Sequence, residues 1–215
     1  MKLGIVIPYY KNNEVCEKNF KLLMNCISKQ LTDDMILFIY EDGQFSEWIM
    51  EYVNSSNNII HLYSMVNKGV SYARNRGIDF LIDKVDYILF IDSDDMIDSY
   101  YLIKMYSSLD KKYDIIESRF FINDRIKEYE ARSIRTGSCG MAIKSSFIGY
   151  IRFDENLLIG EDTKFMIDIM YDSNYIKKLV YTNYYYNLGD NVKSLWMRYK
   201  RNEIEKNKIM EGNNG

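Results

Sequence analysis

Residues 3–7 form an unbroken apolar run that stops at Pro8, and such a run reads as a strand buried on both faces. Residues 14–28 then place Val15, Phe20, Leu22, Leu23, Cys26 and Ile27 largely at helical spacing, with Asn12 or Asn13 as the cap. A second buried strand is predicted over residues 35–40, stopped by Glu41-Asp42-Gly43, followed by a helix over 46–53 and a short strand over 59–63. A helix over 69–82 and a strand over 87–91 complete the first half, the strand running straight into Asp92. This alternation predicts an α/β fold with a largely parallel sheet. In open sheets of that kind, ligands lie beyond the carboxyl ends of the strands. Tyr9, Asp42 and Asp92 to Asp95 all fall just past strand ends, so they are expected to converge on one edge.

The second half is less regular. A helix is predicted over 99–109, a strand over 113–117, and a charged loop or hairpin over 120–136. Gly137-Ser138-Cys139-Gly140 reads as a flexible break before a strand at 141–143. A helix over 161–171 and a short strand over 178–182 precede a run of tyrosines and a polar tail. The expected organisation is one domain: a first half at 1–98, a second at 99–195 and a basic tail at 196–215.

Composition narrows the function classes. A hydrophobic fraction of 47% in 215 residues supports a packed core and excludes wholesale disorder. A net charge of −3 gives no global field for nucleic acid or acidic membranes, although Lys193 to Lys208 lean basic. With three cysteines, no C-x-x-C spacing and a single histidine, His61, no zinc set is available, and reduced structural thiols are expected. No stretch reaches the roughly 20 apolar residues of a membrane span, and the N-terminal apolar run is too short for a signal peptide. The expectation is a cytoplasmic protein, with Trp196 to Arg201 offering peripheral membrane contact or forming a docked terminal helix.

Two features carry chemistry. Asp92-Ser93-Asp94-Asp95 crowds three carboxylates at a strand end, and carboxylates so close need a cation or donors to coexist ionised. Hard divalent metals take such oxygens and share the phosphates of substrates. The alternative is local: Asp95 or Asp98 capping the helix that follows. One strand earlier, Gly69 opens a helix from which Arg74 projects, a planar fork able to pair with phosphate or to steady a carboxylate. Arg76 reads as a surface arginine.

The ordered set I-V-I-P-Y-Y, E-D-G, N-K-G-V-S-Y-A-R-N-R-G-I, F-I-D-S-D-D and G-E-D resembles glycosyltransferase family 2, over roughly residues 3–195. The resemblance implies a GT-A fold and an inverting transfer of sugar from a nucleotide diphosphate, most often UDP, to an acceptor hydroxyl. Pro8 and Tyr9 would cradle the base, Asp42 would bind it, and Asp92 would contact the ribose, with Arg74, Ser93 and Asp95 also on the donor side. Asp94 would hold Mn2+ or Mg2+. Asp162 would be the general base, and Glu161 and Tyr186 would lie on the acceptor side.

Several positions depart from the family pattern. Glu41 stands where an aspartate is usual, no Trp or Asn precedes Lys144, and Asn187 replaces an arginine. Any further protein ligand to the metal is open. The expected acceptor is a glycan, a lipid-linked species or another hydroxyl, in glycan or cell-envelope polysaccharide synthesis. The other readings are a modified nucleic acid as acceptor, a nucleotidyltransferase, and a non-catalytic nucleotide-sugar-binding module. The absence of glycine from residues 7–12 counts against the nucleotidyltransferase.

Overall fold

The structure, a computed structural model, describes residues 1–122, 125–127, 137–171 and 176–186. The first half runs β1 (Leu3–Tyr9), α1 (Glu14–Ser28), β2 (Met35–Asp42), α2 (Ile49–Ser55), β3 (Ile59–Ser64), α3 (Val70–Leu81) and β4 (Tyr87–Phe90). The second half contains β5 (Met96–Ile97), α4 (Tyr101–Ser107), β6 (Ile115–Ile122), β7 (Arg125–Lys127), β8 (Met141–Lys144), α5 (Ser145–Ile148), α6 (Glu161–Met170) and β9 (Lys177–Tyr186). One sheet takes all nine strands in the order β3-β2-β1-β4-β8-β6-β9-β5, with β7 beside β6.

The pairs among β3, β2, β1 and β4 are all parallel, as the alternating first half requires. The second half is mixed. β8 runs antiparallel to β4 and β6, whereas β9 runs parallel to β6. β1 is buried at every position, and its two faces meet different helices. Its Tyr9 ring packs on Phe20 of α1 at 4.3 Å, on the face opposite Gly4 and Val6. On that other face α3 comes so near that a β-carbon at Gly77 would lie 2.5 Å from Val6 Cγ1. A central strand sandwiched between helices has no polar face to offer, which explains its unbroken apolar sequence.

Local chemistry settles several open points. Asn13 is the cap of α1, its Oδ1 accepting the Cys16 amide at 2.9 Å. Arg76 is exposed and pairs with Asp79, as a surface arginine should. The three cysteines are all free.

Neither Asp95 nor Asp98 caps the following helix, which begins at Tyr101 without a side-chain cap. The reason is β5, a two-residue strand that the sequence pattern missed; it pairs with β9 and carries Asp98 against that strand. There Asp98 accepts the Asn183 amide and the Tyr185 hydroxyl, each at 2.9 Å. The tyrosine run expected beyond the last strand is the end of that strand, and β9 reaches Tyr186. The charged segment does turn back as a hairpin through β7, and β6 is longer than the pattern indicates. Asn187, Lys193 and the basic tail lie outside the described residues. Among the described residues no helix is long and apolar enough to cross a membrane.

Candidate active site

The carboxyl ends of β1, β2 and β4 open into a cleft of ≈510 Å³. Pro8, Tyr9, Asp42, Arg74, Asp92, Ser93, Asp94 and Glu161 all line it, so the residues expected on one sheet edge converge there except Asp95, which is buried beneath it. A larger hollow of ≈770 Å³ lies at the opposite end of β4, beside Asp86, Lys111 and Lys144. Its lysines are already near Asp86 and Asp114, at 3.9 and 3.8 Å, so size alone does not make it the site of chemistry.

Adjacent tyrosines at the end of β1 divide the work between core and cleft. Tyr9 is 1% exposed, with its ring against Phe20 and Trp48 and its hydroxyl lacking a normal hydrogen-bond partner among the described residues. Tyr10 is 49% exposed and lines the cleft. Its ring crosses the turn after β2 so closely that a β-carbon at Gly43 would lie 3.2 Å from Tyr10 Cε2. The free aromatic face at the cleft therefore belongs to Tyr10, a residue the motif reading passed over.

Asp42 ends β2 and reaches across to the start of α3. Its Oδ1 accepts the Lys68 amide and its Oδ2 the Gly69 amide, both at 2.8 Å. Gly69 stands at φ +93°, a left-handed conformation that suits glycine and lets its amide face the carboxylate. The preceding Glu41 is fully buried and holds the loop after β2 instead. It accepts from the Ser46 amide at 2.9 Å, from the Ser46 hydroxyl, from Gln44 at 2.9 Å, and pairs with His61 at 3.0 Å. Burial disfavours its charge, but these hydrogen bonds outweigh burial and hold its pKa below the usual carboxylate value.

Arg74 is the hub. Its Nη2 donates to Asp92 at 2.8 Å, while its Nη1 donates to Glu161 at 3.0 Å and Asp162 at 3.4 Å. Of the two roles open to it, steadying carboxylates is the one seen. Burial opposes its charge, yet Asp92 and Asp162 foremost raise its pKa well above the ordinary arginine value. The next residue, Asn75, clamps the chain leading to α6. Its side chain accepts the Phe153 amide at 2.8 Å and donates to the Phe153 carbonyl at 2.9 Å and Glu155 at 2.8 Å. Sequence reasoning missed Asn75, although its place beside Arg74 on a helix marks it as an inward-facing polar residue.

The aspartate cluster is held from β9. Asp95 is fully buried and accepts the Tyr184 hydroxyl at 2.6 Å, and that hydroxyl accepts the Asp92 amide at 3.0 Å. Tyr186 lies near the same aspartates: burial first, then the charges of Asp92, Asp95 and Asp94, push its hydroxyl pKa up. Asp162 sits in the first turn of α6, and a β-carbon at Gly137 would lie 3.9 Å from its Oδ2.

The profile of Glycosyl transferase family 2 matches residues 4–176, more than half of the chain. The chain belongs to glycosyltransferase family 2. It is 28% identical over 167 residues to the minor teichoic acid biosynthesis protein GgaB of Bacillus subtilis, a match covering 68% of this chain and 18% of that protein. It is 25% identical over 205 residues to the teichoic acid poly(glycerol phosphate) polymerase of Staphylococcus epidermidis, covering 83% of this chain and 27% of that one. The fold matches residues 1–349 of S. aureus TarS in complex with UDP, with a TM-score of 0.73 at 19% identity. That match covers 88% of this chain and 61% of the 1–349 chain, and it identifies the α/β architecture as the GT-A fold. The chain thus spans 18% and 27% of the length of the two curated relatives.

For a member of this family a divalent cation is the implied partner of the aspartates. Asp94 lines the cleft and is partly exposed, and a carboxylate is the hard oxygen donor that Mn2+ or Mg2+ takes. The described residues contain no ready-made set of three metal-ligating side chains.

Proposed function

We propose that this chain transfers a sugar from a nucleotide diphosphate, with UDP as the carrier, to a hydroxyl of a cell-envelope polymer, inverting the anomeric centre. The observation that carries the reading is the single guanidinium of Arg74 joining Asp92, on the donor side, to Asp162, on the acceptor side. Within a glycosyltransferase family 2 chain, that geometry sets the Asp162 carboxylate beside the nucleotide cleft.

The nucleobase lies on Tyr10, near the loop after β2 that Glu41 holds and the start of α3 that Asp42 holds. Asp92 takes the ribose, with Ser93 and Asp95 shaping the floor of the cleft. Asp94 holds the cation, which supplies Lewis-acid stabilisation of the charge growing on the departing diphosphate. Asp162 accepts the proton of the acceptor hydroxyl as that oxygen bonds to the anomeric carbon. The bond from that carbon to the diphosphate oxygen breaks on the opposite face, and its electron pair leaves with the diphosphate.

The cell-envelope acceptor is supported by the two curated relatives, both named for teichoic acid synthesis. The UDP donor is supported by the TarS complex.

The test is nucleotide release from UDP-, GDP-, dTDP- and CMP-sugars, with and without manganese, with the product anomer read by NMR. Manganese-dependent release of UDP alone, lost in Asp94→Asn, is the expected result. Release from another carrier, or retention of the donor's anomeric configuration, would overturn it.

A further inference from the structure

Among the described residues that line the cleft, Leu158 is the one exposed aliphatic side chain, at 55% exposure. A leucine left bare on an outer surface is ordinary. In a binding cleft it offers an apolar contact that a ligand of matching chemistry gains by covering.

The chain around Leu158 is fastened. Consecutive residues of α3 hold both ends of the segment: Asn75 takes Phe153 and Glu155, and Arg74 takes Glu161. Next to the first anchor Asp154 closes a turn, its Oδ1 accepting the Asn156 amide at 3.0 Å and its carbonyl the Leu157 amide at 3.3 Å. The Phe153 ring stacks on Phe165 of α6 at 3.9 Å. Leu158 thus belongs to a strap whose two ends are fixed to one helix.

The same anchors say which part of a donor it meets. α3 follows the cleft from Gly69, beside Asp42, to Arg74, beside Asp92 and Glu161. Leu158, three residues before Glu161, belongs to the Arg74 end, past the base and on the side of the sugar. That end is poorly hydrated: burial first, then Asp162, push the Glu161 carboxyl up to about 8, against the pull of Arg74.

We propose that Leu158 is a specificity-determining residue that selects a donor whose hexose carries a methyl group, as an N-acetyl or a 6-deoxy substituent. This rests on the reading of the cleft as the site of a UDP-sugar. A methyl laid on Leu158 takes apolar surface of both partners out of water. A hydroxyl in its place gives up water and receives no hydrogen bond from leucine in return.

The experiment compares UDP-GlcNAc and UDP-6-deoxyglucose with UDP-glucose, which lacks the methyl, in turnover read as UDP release to water. The native protein should favour one of the methyl-bearing donors about tenfold in kcat/KM, the discrimination expected for one such group in an apolar site. The favoured donor tells the acetamido group from the deoxy group. Leu158→Asn, similar in size but polar, should bring the ratio close to one, whereas Leu158→Met should keep it. UDP alone, measured by calorimetry, should bind all three proteins alike. With 13C-labelled leucine methyls, a cross-peak from Leu158 to the methyl of the bound donor should appear and be absent in Leu158→Asn.

Equal turnover of the three donors, or a preference that survives Leu158→Asn, overturns the proposal and leaves the UDP-sugar reading standing. UDP affinity that falls in Leu158→Asn places the residue at the nucleotide end and overturns it as well. No release from any of the donors, with no cross-peak, overturns the proposal and the UDP-sugar reading together.

Discussion

The Tyr184 hydroxyl donates to Asp95 at 2.6 Å, linking residues 89 positions apart in the chain. The same oxygen accepts the Asp92 amide, so a ring near the end of the last strand fixes both ends of the Asp92–Asp95 turn. Tyr184→Phe keeps the ring and removes the donor. Because Asp95 is fully buried, the variant should lose roughly 1–3 kcal/mol in chemical denaturation. Donor affinity, measured by calorimetry, should fall with it.

Tyr9 and Tyr10 should respond oppositely. Tyr10→Ala should weaken nucleotide binding by roughly 1–3 kcal/mol, the range for loss of a base–aromatic stack, with little change in stability. Tyr9→Phe should leave binding nearly unchanged and stability unchanged or slightly raised, since the buried hydroxyl it removes has no normal partner among the described residues. Paired calorimetry and thermal melts separate the two residues.

Arg74→Met should be the most damaging single change in the cleft. It strands a group of carboxylates that share one buried cation, and breaking such a pair costs about 3–5 kcal/mol. Arg74→Lys keeps the charge but not the fork, so it should melt higher than Arg74→Met while still losing most turnover.

Glu161 gives stability a pH dependence with a definite sign. Its folded pKa lies above its unfolded value, so the folded state holds a proton that the unfolded chain releases. The contribution is fully present below about 4.5 and declines as pH rises through about 8. Melting temperatures of the native protein should fall over that window, and those of Glu161→Gln should fall less. Equal slopes would show that the carboxyl is already ionised at neutral pH.

Much of this was legible before any coordinates. β1, β2 and β4 lie between two helical layers, so their sequences are continuously apolar, and the polar residues that end them mark the cleft. The parallel half of the sheet and the convergence of Asp42 with Asp92 to Asp95 follow from that pattern alone. β5 was not legible, because a two-residue strand has no periodicity; only its pairing with β9 defines it. The tyrosines at 184–186 were expected to follow the last strand. They are strand residues whose alternate members face the buried aspartates and the opposite side of the sheet. Choosing between Tyr9 and Tyr10 needed one more fact. Neighbours on a strand point to opposite faces, so everything depends on where the strand stops.

α3 meets the cleft at two places five residues apart. Its approach is tethered through the Gly69 amide to Asp42, proposed to lie by the nucleobase, and Arg74 grips Asp162, the proposed base. Sensing of the donor and readiness of the chemistry therefore share one rigid body. A base that disturbs the Asp42 contact shifts the start of the helix, and with it the arginine. Selectivity for the nucleotide should consequently show itself in turnover as well as in affinity, with ill-fitting carriers bound yet slow to react.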